Sequence, residues 1–374
     1  MIYRLIKKID AKKKIGKKFV RNLLADEKKR TLSKYLIEKV RTGVIRQISN
    51  PRVSHLKDIL QISLEHISPV TAPLALISQI SHSGGSLLSR LLDGHSKLHV
   101  HPHAFAVDSH NKGSWPKIDI KSSPEEWLNI FSKTILATNI REDLTQDLKD
   151  KAQFPFMYLP ILQKQIFNKY LASIESVSTR SVFSAHMTAC FGAWLNYQNH
   201  GLDKKFVTTY ASGLIMQNEA MDSFFDIYPD GRLISIIRDP EHWFVSASKL
   251  EPQVYGDAES AIDNWKLSVR AAVGIRKKFG DRVCLIRLGD LVSQTDSVMR
   301  FLSEFMRISY ESILLEPTFN RIPIPTTDEK KIDRAKGKQK HLRDLKILDQ
   351  DQRVLIEKMT ATDYQAALRE TVSF

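Results

Sequence analysis

Only two cysteines, Cys190 and Cys284, occur in 374 residues. That is too few for a disulfide framework and fits a reducing compartment. No apolar run approaches the roughly 20 residues that a bilayer-crossing helix needs. The opening MIYRLIKKID lacks the apolar segment of a secretory leader. No repeat or low-complexity tract interrupts the chain, so solenoid and fibrous architectures are excluded. What remains is ordinary for a globular protein: 42% hydrophobic and 26% charged residues. The length suffices for one large domain or two small ones around a sizeable core. The expected location is the cytoplasm.

Acidic residues are scarce at one end. Residues 1–50 carry sixteen Lys and Arg against four Asp and Glu, a net +12 of the total +14. The basicity therefore belongs to an arm, expected to be an extension over 1–65, and not to the domain expected over 66–374. KKIDAKKKIGKKFVRNLL reads as a basic amphipathic helix with Ile6, Ile9, Phe19, Leu23 and Leu24 as its apolar points. Such a helix suits peripheral contact with an anionic membrane or another polyanion; a solvated extension is the plainer alternative.

Beyond the arm, strands and helices alternate. Leu74–Ile80 is a short apolar run bounded by Pro73 and a Ser-His-Ser turn, and Leu87–Leu92 reads as the helix after it. Ser123-Pro124-Glu125-Glu126 is a helix start, with a Ser cap, Pro in the first turn and two acids facing the positive end of the dipole. Ile161–Ile174 and Ala189–Tyr197 read as helices. Lys205–Tyr210, Arg232–Ile237 and Arg282–Leu288 read as strands, with a long helix, Asp257–Phe279, between the last two. This order predicts an α/β fold: a central parallel sheet flanked by helices. Ligands in such folds sit beyond the carboxyl ends of the strands.

Two turns at such ends have the composition of anion sites. In His82-Ser83-Gly84-Gly85-Ser86-Leu87 a glycine-rich turn joins strand to helix. Its backbone N–H groups and the helix dipole converge on one point, which suits phosphate. Gly84 and Gly85 permit close approach, and Ser83 and Ser86 add hydroxyls. The Walker A pattern is absent, since no lysine follows the glycines. In RDPEHWFVSASK, Arg238 ends a strand, Pro240 opens a helix, and Ser246 follows eight residues after the arginine. Arginine grips phosphate in a bidentate fashion. Either turn alone is also what a structural loop looks like; the pair suggests one ligand with phosphates at both ends.

These motifs resemble the sulfotransferases that use 3′-phosphoadenosine 5′-phosphosulfate (PAPS). That family has a 5′-phosphosulfate loop of the Lys/Arg-Ser-Gly type, matched here by His82–Ser86, and a 3′-phosphate pair, Arg and Ser, matched by Arg238 and Ser246. IRLGDLV and RFLSEFM are similar to its later strand and helix, and RAKGKQKHLRDL, 334–345, is similar to its nucleotide-closing basic loop. The resemblance implies a P-loop-NTPase-like sulfotransferase fold with PAPS as co-substrate. It assigns Ser83, Gly84, Gly85, Ser86, Leu87, Arg238 and Ser246 to the nucleotide. The form Ser-Gly-Gly-Ser-Leu-Leu-Ser is closer to the branch acting on glycans, so a carbohydrate or glycolipid-like hydroxyl, or an amine, is the expected acceptor.

One departure stands out: His82 occupies the family's Lys or Arg position. An imidazole donates there when protonated or in the right tautomer, so His82 is the candidate leaving-group acid. The base candidates are His101 and His103, in GHSKLHVHPHAFAVD. Histidines this close together also admit a metal reading, but no matching carboxylate or cysteine set accompanies them, and no metal is assigned. Asp239 and Asp290 read as structural acids, and Trp243 and Phe244 as core. The alternatives are a P-loop phosphoryl-transfer enzyme, which the missing lysine opposes, and a non-catalytic nucleotide-binding protein.

Overall fold

The computed structural model describes residues 64–105, 115–132, 158, 160–194, 197–201, 203–324 and 348–374. The basic arm and the loop 334–345 lie outside the described residues.

The chain runs β1 (Leu74–Ile77), α1 (Gly85–Leu92), β2 (Leu98–Ala104), α2 (Pro124–Ser132), α3 (Pro160–Ala172), α4 (Thr179–Gly192), β3 (Phe206–Tyr210), α5 (Asn218–Ile227), β4 (Arg232–Ile237), α6 (Pro240–Leu250), α7 (Pro252–Tyr255) and α8 (Ala258–Phe279). It continues through β5 (Val283–Arg287), α9 (Leu288–Ser293), α10 (Thr295–Phe305), a small hairpin of β6 (Thr318–Phe319) and β7 (Ile322–Pro323), and α11 (Gln350–Glu370).

The main sheet is five-stranded, in the order β2-β3-β1-β4-β5, and every pairing is parallel. That is the expected α/β class. β1 has no charged residue because helices cover both of its faces. Alternation decides which side each residue serves. Ala75 and Ile77 join one cluster with Leu88, Leu91 and Leu92 of α1 and with Val298, Met299 and Leu302 of α10. Ile262, Trp265, Val269 and Ala272 of α8 are buried outside that cluster. α8 in turn packs on α11, where Arg270 grips Asp363 through Nε and Nη2 at 2.8 and 2.9 Å.

Local chemistry explains most boundaries. Ser123 and Glu126 exchange hydrogen bonds across the first turn of α2. Asp257 caps α8 by accepting from the Ser260 N–H, and Gly280 ends it at φ +55°. The fourth helix differs from its expected span, Ala189–Tyr197. A capping box between Ser178 and Ser181 starts it ten residues earlier, at Thr179, and it ends at Gly192. Tyr197 therefore lies beyond it.

The strand order locates the site. From β1 the chain crosses to β2 on one side of the sheet; from β4, beside β1, it crosses to β5 on the other. Adjacent strands whose connections diverge leave a crevice at their carboxyl ends. The turns after β1 and β4 are the two singled out above.

Candidate functional site at the ends of β1 and β4

Between β1 and α1 the chain makes a tight, anchored turn. The Ser78 N–H donates to the Ile234 carbonyl at 3.0 Å. Ser78 Oγ donates to the Ala211 carbonyl and accepts from the Ile215 N–H, at 2.6 and 2.9 Å. The Ile80 N–H donates to Ser268 Oγ at 3.1 Å. β3, β4 and α8 thus all hold the rising limb.

The glycines are required by geometry. Gly84 sits at φ +98°, and a Cβ there would lie 2.5 Å from Leu288 Cδ1. At Gly85 a Cβ would lie 2.2 Å from the amide nitrogen of Gln79, whose side chain is buried. No side chain caps α1, and its first turn holds no acid. The first N–H groups of a helix have no intrahelical partner, so Gly85, Ser86 and Leu87 present donors, strengthened by the helix dipole. Uncapped donors with no opposing acid in the first turn fit an anionic group. Ser83 is buried and Ser86 exposed.

The second turn reaches directly into the first. Arg238 Nη1 donates to the His82 carbonyl at 2.5 Å, bridging 156 residues of sequence. The Trp243 indole donates to the Ser81 carbonyl at 2.8 Å, and the Trp265 indole to the Arg238 carbonyl at 3.0 Å. Ser246 is partly exposed on α6, about 10 Å along the helix axis from its cap. Asp239 caps α6 by accepting from the His242 N–H at 3.1 Å, and its Oδ1 pairs with His242 Nδ1 at 2.9 Å. Burial pushes this carboxyl up, but the hydrogen bonds from His242 outweigh that and hold its pKa below the ordinary value. Asp290 pairs with Arg287 at 2.5 Å. Both acids are structural, as expected, and so are buried Trp243 and Phe244.

His82 itself adopts φ +64°. Its Nε2 lies 3.2 Å from Glu251 Oε1, and its ring meets Tyr255 edge-on at 6.0 Å. Glu251 was not among the residues read from the sequence. It sits between α6 and α7, where Pro252 turns the chain back toward the β1 loop, and no local pattern marks that return.

The β2 histidines occupy a different place. β2 is two strands from β1, about 10 Å at ordinary strand spacing. Its sequence, LHVHPHA, hid the strand: the histidines mask its apolar alternation and Pro102 suggests a break, yet as an edge strand it tolerates the proline. His101 is buried, its ring 5.7 Å from Phe105 and 6.3 Å from His186. His186 stacks on Phe131 at 4.2 Å; neither of its ring nitrogens has a hydrogen-bond partner, and burial followed by the nearby His101 pushes its pKa well down. His99 meets the Tyr197 hydroxyl at 2.8 Å and stacks on Phe191 at 4.6 Å. Burial, then Lys204 and His200, pushes its pKa down to about 3. His103 lies on β2, but its side chain is outside the described residues. The structure thus joins His82, Ser83, Gly84, Gly85, Ser86, Leu87 and Arg238 at one crevice and leaves His101 apart from it. Among the described residues no cluster of His, Cys, Asp and Glu has a metal-binding arrangement.

A protein-family model described as the sulfotransferase family matches residues 80–312, more than half of the chain. No curated protein matches. Among solved structures the chain is similar to the sulfotransferase domain of the Synechococcus PCC 7002 olefin synthase, with 16% identity over 79% of this chain and 96% of that one and a TM-score of 0.47. It is also similar to a sulfotransferase from Alicyclobacillus acidocaldarius, at 15% identity over 81% and 98% of the two chains with a TM-score of 0.42. A third is the sulfotransferase domain of the curacin biosynthetic pathway, at 15% identity over 68% and 81% with a TM-score of 0.40.

Proposed function

The chain belongs to the sulfotransferase family, and from that premise we propose that it moves a sulfuryl group from PAPS to a hydroxyl, or amine, of a carbohydrate or glycolipid-like acceptor. The observation that carries this reading is the hydrogen bond from Arg238 to the carbonyl of His82. It puts the arginine turn and the glycine cradle within reach of one small molecule, as a nucleotide phosphorylated at both ends demands.

In this reading the N–H groups of Gly85, Ser86 and Leu87 hold the 5′-phosphosulfate and stabilise charge on the leaving phosphate. Gly84 gives the turn its left-handed step, and Ser83 and Ser86 add hydroxyls. Arg238 and Ser246 hold the 3′-phosphate. A guanidinium has five N–H donors, so the bond to His82 does not exhaust it. His82 serves as the leaving-group acid. The acceptor proton goes to a β2 histidine. Of the two candidates, His103 takes that role: it stands one residue before the strand's carboxyl end, whereas His101 is enclosed by rings. The glycan acceptor rests on the resemblance of the Ser-Gly-Gly-Ser-Leu-Leu-Ser form.

The division into a basic extension, 1–65, and a transferase domain, 66–374, belongs to the same proposal, with the arm as a peripheral address for anionic surfaces. Among the described residues no helix is long and apolar enough to cross a membrane.

Calorimetric titration tests the nucleotide. The protein is expected to bind 3′-phosphoadenosine 5′-phosphate (PAP) more tightly than ADP, and Arg238→Ala to weaken PAP about 100-fold, the worth of a charge-assisted phosphate contact. Equal affinity for the two ligands would sink the assignment. Labelled-sulfate transfer to a glycan panel then tests the acceptor.

A further inference from the structure

Three arginines meet at the amino ends of β4 and β5. Parallel pairing sets Leu233 opposite Val283, so the residues just before them, Arg232 and Arg282, stand side by side where the two strands begin, one strand spacing or about 5 Å apart. Arg307 joins them from the end of α10. Arg232 Nε donates to the Phe305 carbonyl at 3.5 Å, and its guanidinium lies 5.9 Å from the centre of the Phe305 ring; Arg307 is two residues further on.

These side chains are tied down without being neutralised. Arg232 Nη1 donates to the carbonyls of Asp230 and Gly231 at 3.4 and 3.1 Å, and Arg282 Nη1 to that of Pro229 at 3.1 Å. The Arg282 guanidinium also lies over the rings of Phe225 and Phe279, at 4.6 and 5.3 Å. Carbonyls and rings hold a guanidinium but leave its charge in place. The acids beside Arg232 are Asp230 and Asp281. Asp230 is already gripped through both oxygens by Arg180, at 2.8 Å each. Among the described residues none of the three arginines forms an ion pair with a carboxylate.

Two costs converge on this spot. Like charges directly across neighbouring strands oppose folding; burial, followed by Arg307 and Arg282, pushes the Arg232 pKa down. The second cost is in the backbone. α10 ends in a Schellman turn, with the Arg307 N–H donating to the Glu304 carbonyl and the Ile308 N–H to the Ser303 carbonyl, both at 2.9 Å. Arg307 takes the left-handed position of that turn at φ +52°, where glycine is preferred and a Cβ is strained. Its side chain is exposed.

An oxyanion would turn the repulsion into attraction, since guanidinium groups take phosphate or sulfate through paired N–H bonds. We propose that Arg232, Arg282 and Arg307 form a second anion site, for a sulfate or phosphate group, at the edge of the sheet opposite the nucleotide crevice. β4 runs from Arg232 to Ile237 with Arg238 next, so six strand steps, about 20 Å, separate this site from the arginine of the crevice. The site therefore stands whether or not the crevice takes PAPS. Its anion is either a free ion or an ester carried on a longer molecule.

The test uses the full chain and NMR of the arginine Nε–H groups, assigned by single substitutions. Sodium sulfate, titrated against sodium chloride at constant ionic strength, is expected to shift the signals of Arg232, Arg282 and Arg307 saturably, while Arg238 reports the crevice separately. Arg307→Gly should weaken the response at Arg232 and Arg282 about tenfold, the worth of one charge-assisted contact. In chloride the same variant should have a raised Tm, because it removes repulsion and backbone strain together, and its PAP affinity should be unchanged. Arg307→Lys keeps the charge and should retain most of the response. Saturation by a sulfated tetrasaccharide at a concentration at least tenfold below that of sulfate, with no response to its unsulfated counterpart, identifies an ester on a longer chain as the ligand; a response no tighter than that to sulfate identifies the free ion. A response to sulfate no larger than that to chloride, or equal in the native and Arg307→Gly proteins, would overturn the site. So would a lowered Tm of Arg307→Gly in chloride, which would make Arg307 a structural residue.

Discussion

Histidines stand in two different settings in this molecule, and the two settings treat them oppositely. At the end of β1, His82 is partly accessible, faces a carboxylate and lends its carbonyl to Arg238. Around β2, His99, His101 and His186 are buried among Phe and Tyr rings. An imidazole sealed among rings is held neutral because burial penalises the cation. The same residue type thus belongs to a backbone-anchored turn in one region and is a packing unit in the other. The β1–β4 crevice is built from fixed donors, and the β2–α4 region from ring contacts.

The largest expected effect is at the crevice. Gly84→Ala must place a Cβ at φ +98° and 2.5 Å from Leu288 Cδ1. The left-handed step alone costs about 1–2 kcal/mol. A lower Tm together with a PAP affinity reduced about 100-fold or more is expected, since the helix donors would turn away. A variant that binds normally would show that the cradle is not the anion site, and would remove the contrast between the two regions.

A smaller effect is expected at His99. Its folded pKa of about 3 lies below the ordinary imidazole value of 6.5. It therefore contributes stability that is fully present above pH 6.5 and is lost as the pH falls toward 3. His99→Phe should flatten the fall in denaturation free energy across that window. Urea melts at a series of pH values measure this. An unchanged slope would mean that His99 is not sealed as its surroundings indicate.

The smallest effect is expected at His186, and its sign is the informative part. Both of its ring nitrogens are buried without partners, so the folded state bears their desolvation. His186→Leu should be neutral or stabilising by about 1 kcal/mol, with PAP affinity unchanged. A marked loss of stability or binding would assign that histidine a polar role and blur the line between the regions.

Much of the site was legible because it is local. Gly84-Gly85 after an apolar run and Arg238 before Asp-Pro each mark a turn through backbone chemistry confined to a few residues. The elements that escaped are those whose order comes from elsewhere. β2 reads as a histidine-rich loop, and pairing with β3 makes it a strand. α11 has weak amphipathicity, and its long packing against α8 and the Arg270–Asp363 bridge hold it. Glu251 looks like any acid at a helix end until α7 folds back. The histidines of GHSKLHVHPHAFAVD could not be sorted by spacing, since spacing carries no information about which rings enclose them.

The sequence by itself determined the alternating parallel architecture and the two turns that close β1 and β4, because each follows from composition or from backbone preferences over a few neighbours. Only the tertiary structure decided that Arg238 reaches the carbonyl of His82, that Glu251 faces the imidazole, and that His101 and His186 are shut among rings. Those facts depend on strand order and on helices that return across long stretches of chain, and burial and partnership, which set an imidazole's charge, exist only once those segments meet.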